Sequence, residues 1–89
     1  MRLDIQDNDK IKVRLFAVLR EVVGEREITI TVPSGITVSY LNNVILMKYP
    51  QLKSFSNKFV TSVNYKVTSG DTIITSSDEI ALLPPVSGG

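Results

Sequence analysis

The sequence IKVRLF at residues 11–16 decides the fold. In an extended chain, successive side chains point to opposite faces, so residues 11, 13 and 15 present only aliphatic side chains to one face. Residues 12, 14 and 16 present Lys, Arg and Phe to the other face. This alternation predicts a β-strand with one buried face and one face in contact with water.

A second segment of the same kind is EITITV at residues 27–32, in which Ile28, Ile30 and Val32 are predicted to point inward. The intervening residues 20–26, REVVGER, predict a charged connection in which Gly24 can adopt a left-handed conformation. Residues 33–35, PSG, predict a turn. The two strands are therefore expected to form a β-hairpin with a long connection.

Helical spacing begins after this hairpin. Thr37 is a candidate N-cap, apolar residues follow at positions 38, 41, 44 and 45, and Pro50 cannot continue the pattern. The spacing predicts a helix of about three turns. Because a small sheet needs one covering element, we expect the apolar stripe to pack on the sheet rather than to bind a partner.

The remainder of the chain predicts short strands and turns. Residues 51–58 predict a polar loop, residues 59–63 a strand, residues 64–66 a tight connection, and residues 72–74 a short extended piece. Residues 78–83 predict the last strand, with Ile80 and Leu82 facing inward and Ala81 and Leu83 facing outward. The order β-β-α-β-(β)-β predicts an α+β fold with one mixed sheet and one main helix across one face.

Composition excludes several classes of function. The 89 residues include no Cys and no His, which excludes disulfides, thiolate nucleophiles, imidazole bases and Cys/His zinc sites, so no metal ligands are assigned. The formal charge is only +1, and no basic run or basic-aromatic pattern occurs, so nucleic acid is not an expected partner. No apolar run approaches the ~20 residues that span a bilayer, so we expect no membrane association and a cytoplasmic protein.

Three segments are predicted along the chain. Residues 1–10 are polar and turn-prone and are expected to form a flexible N-terminal extension. Residues 11–83 are expected to form the domain, and residues 84–89, PPVSGG, an extended C-terminal tail.

The tail carries the functional signal. Pro84 and Pro85 end the sheet and impose an extended path, which lowers the entropy lost when the tail is inserted into a partner. Gly88 and Gly89 have no Cβ atoms, so they can pass through a narrow channel and present the terminal carboxylate to a nucleotide in another protein. A Gly-Gly end alone also arises by chance or at a frayed terminus, but here it occurs together with the Pro-Pro exit and a small domain without catalytic side chains.

Over residues 11–89 the sequence resembles the small subunit of molybdopterin synthase, the MoaD group of ubiquitin-like sulfur carriers. The segments that carry the resemblance are residues 13–17 (VRLFA), 20–24 (REVVG), 37–38, 49–50, 63–64 and, most specifically, 78–89 (DEIALLPPVSGG). Two turns depart from the group's pattern: residues 76–77 are Ser-Ser where an acidic residue and glycine are common, and residues 64–66 are Asn-Tyr-Lys where Asn-Gly is frequent.

The resemblance implies a ubiquitin-like β-grasp in which the first and last strands lie side by side and parallel. It also implies that the carboxylate of Gly89 is adenylated by an E1-like adenylyltransferase that uses ATP, and converted to a thiocarboxylate by a persulfide sulfur donor. The tail residues Pro84, Pro85, Val86, Ser87 and Gly88 would then enter the large synthase subunit, where sulfur is transferred to the pterin precursor of the molybdenum cofactor. On this interpretation the chain is not catalytic alone, binds no cofactor itself and works in a heterotetramer.

Strand parity places Phe16, Val67 and Leu83 on the outward face, where the resemblance implies a hydrophobic patch for both partners. Arg20 is a further candidate, for pairing with acidic partner residues. Three alternatives stay open: a sulfur carrier for thiamine or tRNA thiolation, a ubiquitin-like modifier joined to lysines through Gly89, and a plain interaction domain with an incidental Gly-Gly end.

Overall fold

The computed structural model describes residues 8–55 and 58–84. In chain order its elements are strand β1 (Asn8–Leu15), helix α1 (Ala17–Val23), strand β2 (Glu27–Pro33), helix α2 (Val38–Lys48), a 3₁₀ helix (Pro50–Phe55), and strands β3 (Val60–Val63), β4 (Lys66–Val67) and β5 (Ile80–Leu83).

The five strands form one mixed sheet in the order β2-β1-β5-β3-β4. β1 pairs antiparallel with β2 and parallel with β5, and β3 pairs antiparallel with both β5 and β4. The first and last strands therefore lie side by side and parallel near the centre, as expected. The α+β class, the mixed sheet and the ubiquitin-like β-grasp arrangement are confirmed.

The core lies between one face of this sheet and the helices. The alternation predicted for β1 and β2 is confirmed, because each aliphatic residue predicted to point inward is at most 3% exposed. In β5, Ile80 and Leu82 are likewise buried. β1 begins at Asn8, where Asp9 and Lys10 pair with Val32 and Thr31, so three residues assigned to the N-terminal extension belong to the strand. The rest of that predicted extension lies outside the described residues.

Helix α2 forms as the spacing predicts. The side-chain oxygen of Thr37 accepts a hydrogen bond from the Tyr40 backbone N–H at 3.2 Å, which satisfies one of the free donors of the first turn. Val38, Leu41 and Ile45 are at most 1% exposed, so the apolar stripe is part of the core.

The connection predicted between β1 and β2 is instead a short helix, α1. A helix of seven residues is not stable alone, but Leu19 is completely buried, and Val22 and Val23 pack against the core. The helix ends at Gly24, whose φ of 88° is left-handed, as predicted, and whose N–H donates to the Arg20 carbonyl oxygen at 2.7 Å.

Two further segments differ from the prediction. Residues 50–55 form a 3₁₀ helix rather than a polar loop, because Leu52 is completely buried in the core. Residues 72–74 form no strand: one isolated bridge joins Ile73 to Thr37, and Ile74 is fully buried. Each segment buries only one side chain completely, which is too little for a periodic pattern to reveal.

Candidate functional site: the open face of the sheet

The sheet face opposite the core places side chains of all five strands in one surface. In the pairing register, Ala81 of β5 lies between Arg14 of β1 and Ser62 of β3. On its other side, Ser62 lies beside Val67 of β4. Leu83 pairs with Val60 one step along the same face. Side chains that are distant in the sequence therefore become neighbours through strand pairing.

This face contains a groove of about 250 Å³. Small side chains at Ser62 and Ala81 lie between larger ones, and this difference in side-chain size leaves the depression. The residues lining the groove are Arg14, Phe16, Ser62, Tyr65, Val67, Glu79, Ile80, Ala81 and Leu83. We refer to this surface as the open-face groove.

Three of the four predicted patch residues meet in the open-face groove. Phe16 is 37% exposed and Val67 66% exposed, while Leu83 is half-buried. Their exposure leaves apolar surface in contact with water, as the strand parity predicts. That a partner protein covers this apolar surface stays a prediction.

The fourth residue, Arg20, does not line the groove. It is exposed in the last turn of α1, where its backbone carbonyl accepts the hydrogen bond from Gly24. The chain leaves the sheet at Phe16 to enter this helix, which takes Arg20 away from the strand surface. The pairing of Arg20 with an acidic partner residue stays a prediction.

The tail begins at one end of the groove. Pro84 directly follows Leu83 and is half-buried. The other predicted tail residues, Pro85, Val86, Ser87, Gly88 and Gly89, lie outside the described residues. Leu83 connects the two parts of the predicted site, because it lines the groove and immediately precedes the tail.

Sequence reasoning missed Tyr65 and Glu79 as members of the site. The Tyr65 hydroxyl donates a hydrogen bond to Glu79 Oε1 at 2.7 Å. That hydrogen bond and the negative charge of Glu79 raise the pKa of the Tyr65 hydroxyl above its ordinary value, because both favour the protonated form. A tyrosine in a turn that normally requires glycine was the available signal.

Arg14, which the strand alternation places on the water-facing side of β1, also lines the groove. Its guanidinium carbon lies 5.9 Å from the centroid of the ring of Phe16, the extended residue that directly follows β1. At this distance the cation is attracted by the electrons of the ring face. The groove thus combines an aromatic residue, a guanidinium group and a carboxylate around an apolar centre.

A network centred on Asn64 holds the turn beside the groove in place. The Asn64 side-chain oxygen accepts a hydrogen bond from the Glu79 N–H at 2.9 Å, and the Asn64 N–H donates to the Glu79 carbonyl oxygen at 2.8 Å. Asp78 Oδ2 accepts from the Thr75 N–H at 2.8 Å. These bonds tie the β3–β4 turn to the segment that enters β5.

A second, more polar depression of about 280 Å³ adjoins the open-face groove and shares Arg14, Glu79 and Ile80 with it. Its other lining residues are Lys12, Glu27, Ser76, Ser77 and Asp78. Within residues 8–55 and 58–84, no group of three acidic, His or Cys side chains could hold a metal ion. None of the helices in those ranges is long and apolar enough to cross a membrane.

Comparison with known proteins identifies relatives that share this architecture. The family model described as the ThiS family matches residues 13–89. A molybdopterin synthase sulfur carrier subunit of Dictyostelium discoideum is 38% identical over 92% of this chain and 99% of its own length. The corresponding subunit of Arabidopsis thaliana is 36% identical over 90% of this chain and 83% of its own length.

Solved structures of similar proteins share the fold of this chain. SAMP1 from Haloferax volcanii superposes with a TM-score of 0.79 at 28% identity, covering 90% of this chain and 99% of that one. A chain from the complex of subunits 1 and 2 of the molybdopterin-converting factor of Helicobacter pylori has a TM-score of 0.62 at 26% identity, covering 90% of this chain and 99% of that one. The chain therefore belongs to the ThiS family, and within it to the molybdopterin synthase sulfur carrier subunits.

Proposed function

We propose that this chain carries sulfur as a thiocarboxylate on Gly89 and delivers it to the pterin precursor in molybdenum cofactor synthesis. One observation carries the proposal: the family match extends through the Gly-Gly end of the chain, over residues 13–89. The similarity therefore includes the tail that would do the chemistry as well as the fold that presents it.

The proposed activation needs no nucleophilic side chain from this chain, which has neither Cys nor His. A carboxylate oxygen of Gly89 attacks the α-phosphorus of ATP in an E1-like adenylyltransferase, forming an acyl-adenylate and releasing pyrophosphate. The terminal sulfur of a donor persulfide attacks the acyl carbon and displaces AMP. A thiol then cleaves the resulting acyl disulfide, leaving the thiocarboxylate on Gly89 and a disulfide on the donor side.

The thiocarboxylate then serves as the nucleophile in the large subunit of the synthase. Its sulfur forms a bond to a carbon of the pterin precursor and displaces an oxygen substituent from that carbon. Water then hydrolyses the acyl-sulfur bond, so that sulfur stays on the pterin and Gly89 returns to the carboxylate. Acid-base groups for these steps belong to the partner. A relative from Helicobacter pylori forms a complex with subunit 2 of its factor, which supports a large-subunit partner here.

The open-face groove supports the same proposal, because both partners must hold the domain while the tail reaches their active sites. Three apolar side chains around the groove, those of Phe16, Val67 and Leu83, supply the surface that such docking would bury. The proposal places the carrier in the cytoplasm.

The proposal is tested by the intact mass of the native-ended chain after incubation with the E1-like enzyme, ATP and the persulfide donor. We expect the mass change of one oxygen replaced by sulfur. Deletion of Gly89 should abolish this change and cofactor synthesis, while the thermal transition stays unchanged because the core lies within residues 8–84. Deletion of Met1 is the matched control and should leave loading intact.

Three results would contradict all or part of the proposal. A chain lacking Gly89 that still supports cofactor synthesis would exclude the terminal thiocarboxylate as the carrier. Stable adducts between Gly89 and lysines of other proteins, without thiocarboxylate, would instead indicate a protein modifier. A thiocarboxylate accepted only by a thiamine or tRNA-thiolating enzyme would keep the carrier chemistry and change the pathway.

A further inference from the structure

Tyr65 occupies a backbone position that disfavours its side chain. The φ angles of Asn64 and Tyr65 are 53° and 70°, so both central residues of the β3–β4 turn are left-handed. Turns of this kind favour Asn-Gly, because glycine alone adopts the second conformation without steric cost. Tyr65 is also 81% exposed, so packing in the core does not explain its presence.

The ring of Tyr65 is held over the open-face groove. Its hydroxyl donates to Glu79 Oε1 at 2.7 Å, and Tyr65 lines the groove together with Phe16 and Leu83. Glu79 is itself fixed at its backbone by two hydrogen bonds with Asn64: the Glu79 N–H donates to Asn64 Oδ1, and the Glu79 carbonyl oxygen accepts from the Asn64 N–H. The exposed ring is therefore oriented before any partner arrives, which reduces the side-chain entropy lost on binding.

We propose that Tyr65 is an aromatic anchor with which this chain binds the large subunit of its synthase, and a determinant of which large subunit it accepts. The inference rests on the proposed function. The backbone conformation is unfavourable for tyrosine, and the exposed ring is fixed at a groove. This combination is typical of a residue that serves binding rather than stability.

The position of the tail identifies the occupant of the groove. Leu83 lines the groove, and six residues, 84–89, lead from it to Gly89, which carries the sulfur in the proposed function. Fully extended, six residues reach at most about 22 Å. Any protein that holds Gly89 in its active site must therefore lie close to the groove.

Of the two proteins that receive the tail, the large subunit is the one expected to remain bound. A relative with this fold is found in a complex with its subunit 2. An oriented aromatic anchor mainly slows dissociation, which suits a lasting subunit contact better than transient adenylation. The partner surface should be apolar opposite the ring and should contain no acidic group facing Glu79, because two carboxylates would repel each other.

The test separates binding from stability. The wild-type chain and the variants Tyr65→Gly and Tyr65→Phe are titrated calorimetrically with the large subunit purified from the same cells, and their thermal transitions are recorded. Glycine suits φ of 70°, and this relief should at least offset the loss of the exposed hydrogen bond to Glu79, so Tyr65→Gly should be as stable as the wild type or more stable. Its Kd should nevertheless rise about fivefold to thirtyfold.

Tyr65→Phe keeps the ring and the backbone cost and should bind within about threefold of the wild type. Met47→Ala removes another exposed side chain, 78% exposed on α2 and away from the groove, and should not change Kd.

Equal binding by wild type and Tyr65→Gly would overturn this inference while leaving the proposed function intact. Tyr65→Phe binding as weakly as Tyr65→Gly would overturn the role of the ring. A wild-type chain that does not bind the large subunit would overturn the proposed function and this inference with it.

Discussion

The side-chain amide of Asn64 donates a hydrogen bond to Asp78 Oδ1 at 3.0 Å, and this contact joins the β3–β4 turn to the loop before β5. The two residues are 14 positions apart in the sequence. Because β5 continues into the tail, this contact fixes the start of the strand from which the tail leaves the domain. The geometry at the base of the tail thus depends on a polar network rather than on the core alone.

Replacing Asn64 with glycine should lower the free energy of unfolding by about 1–2 kcal/mol, because two side-chain hydrogen bonds are lost while the left-handed backbone stays acceptable. Urea denaturation followed by circular dichroism measures this change. Asn43→Ala, at an exposed position of α2, should change stability by less than about 0.5 kcal/mol. An Asn64→Gly chain as stable as the wild type would show that the network adds nothing to stability.

The contact between Tyr65 and Glu79 predicts a dependence on alkaline pH. The pKa of Tyr65 is raised in the folded chain, so the protonated form is favoured by folding. The corresponding stabilisation should be fully present below pH about 10, the ordinary tyrosine pKa, and should disappear as the pH rises through the raised value. NMR titration of the Tyr65 ring measures the shift.

Glu79→Gln should bring the Tyr65 titration back toward the ordinary tyrosine value, since it removes the negative charge that is a main cause of the shift. A Tyr65 titration that is unchanged by Glu79→Gln would refute the assigned cause.

Phe16 should contribute to partner binding, because its ring lines the open-face groove. Phe16→Ala is expected to weaken binding to the large subunit about fivefold or more, as measured by calorimetry. Val18→Ala is a matched control: Phe16 and Val18 are both 37% exposed, but Val18 does not line the groove. Equal losses in the two variants would show that the groove is not the binding surface.

Leu52 is completely buried in the core, although its neighbours in the sequence are polar. Leu52→Ala should lower the free energy of unfolding by about 2–5 kcal/mol, because it leaves a cavity under the 3₁₀ helix. Lys53→Ala, at the next and exposed position, should have little effect. Denaturant titration of both variants provides the comparison, and similar small effects would mean that the 3₁₀ helix is not part of the cooperative core.

Local patterns in the sequence were sufficient for the strands and for the main helix. The alternation in β1 and β2, the N-cap at Thr37 and the left-handed Gly24 are each encoded within a few residues, because strand parity, capping and turn conformation are local effects. The outward placement of Phe16, Val67 and Leu83 followed from the same parity. The Gly-Gly tail was also visible without any structure, since its chemistry depends on the residues themselves.

Other features required the tertiary structure. Helix α1 and the 3₁₀ helix are too short to form alone and exist because Leu19 and Leu52 are buried by distant elements. The open-face groove depends on strand pairing, which places Ser62 of β3 beside Ala81 of β5, and the hydrogen bond from Tyr65 to Glu79 depends on how the turn meets the last strand. The sequence by itself thus determined which side chains of the strands face inward and which residues form the tail. Long-range packing and strand pairing decided which side chains form the open-face groove beside the tail.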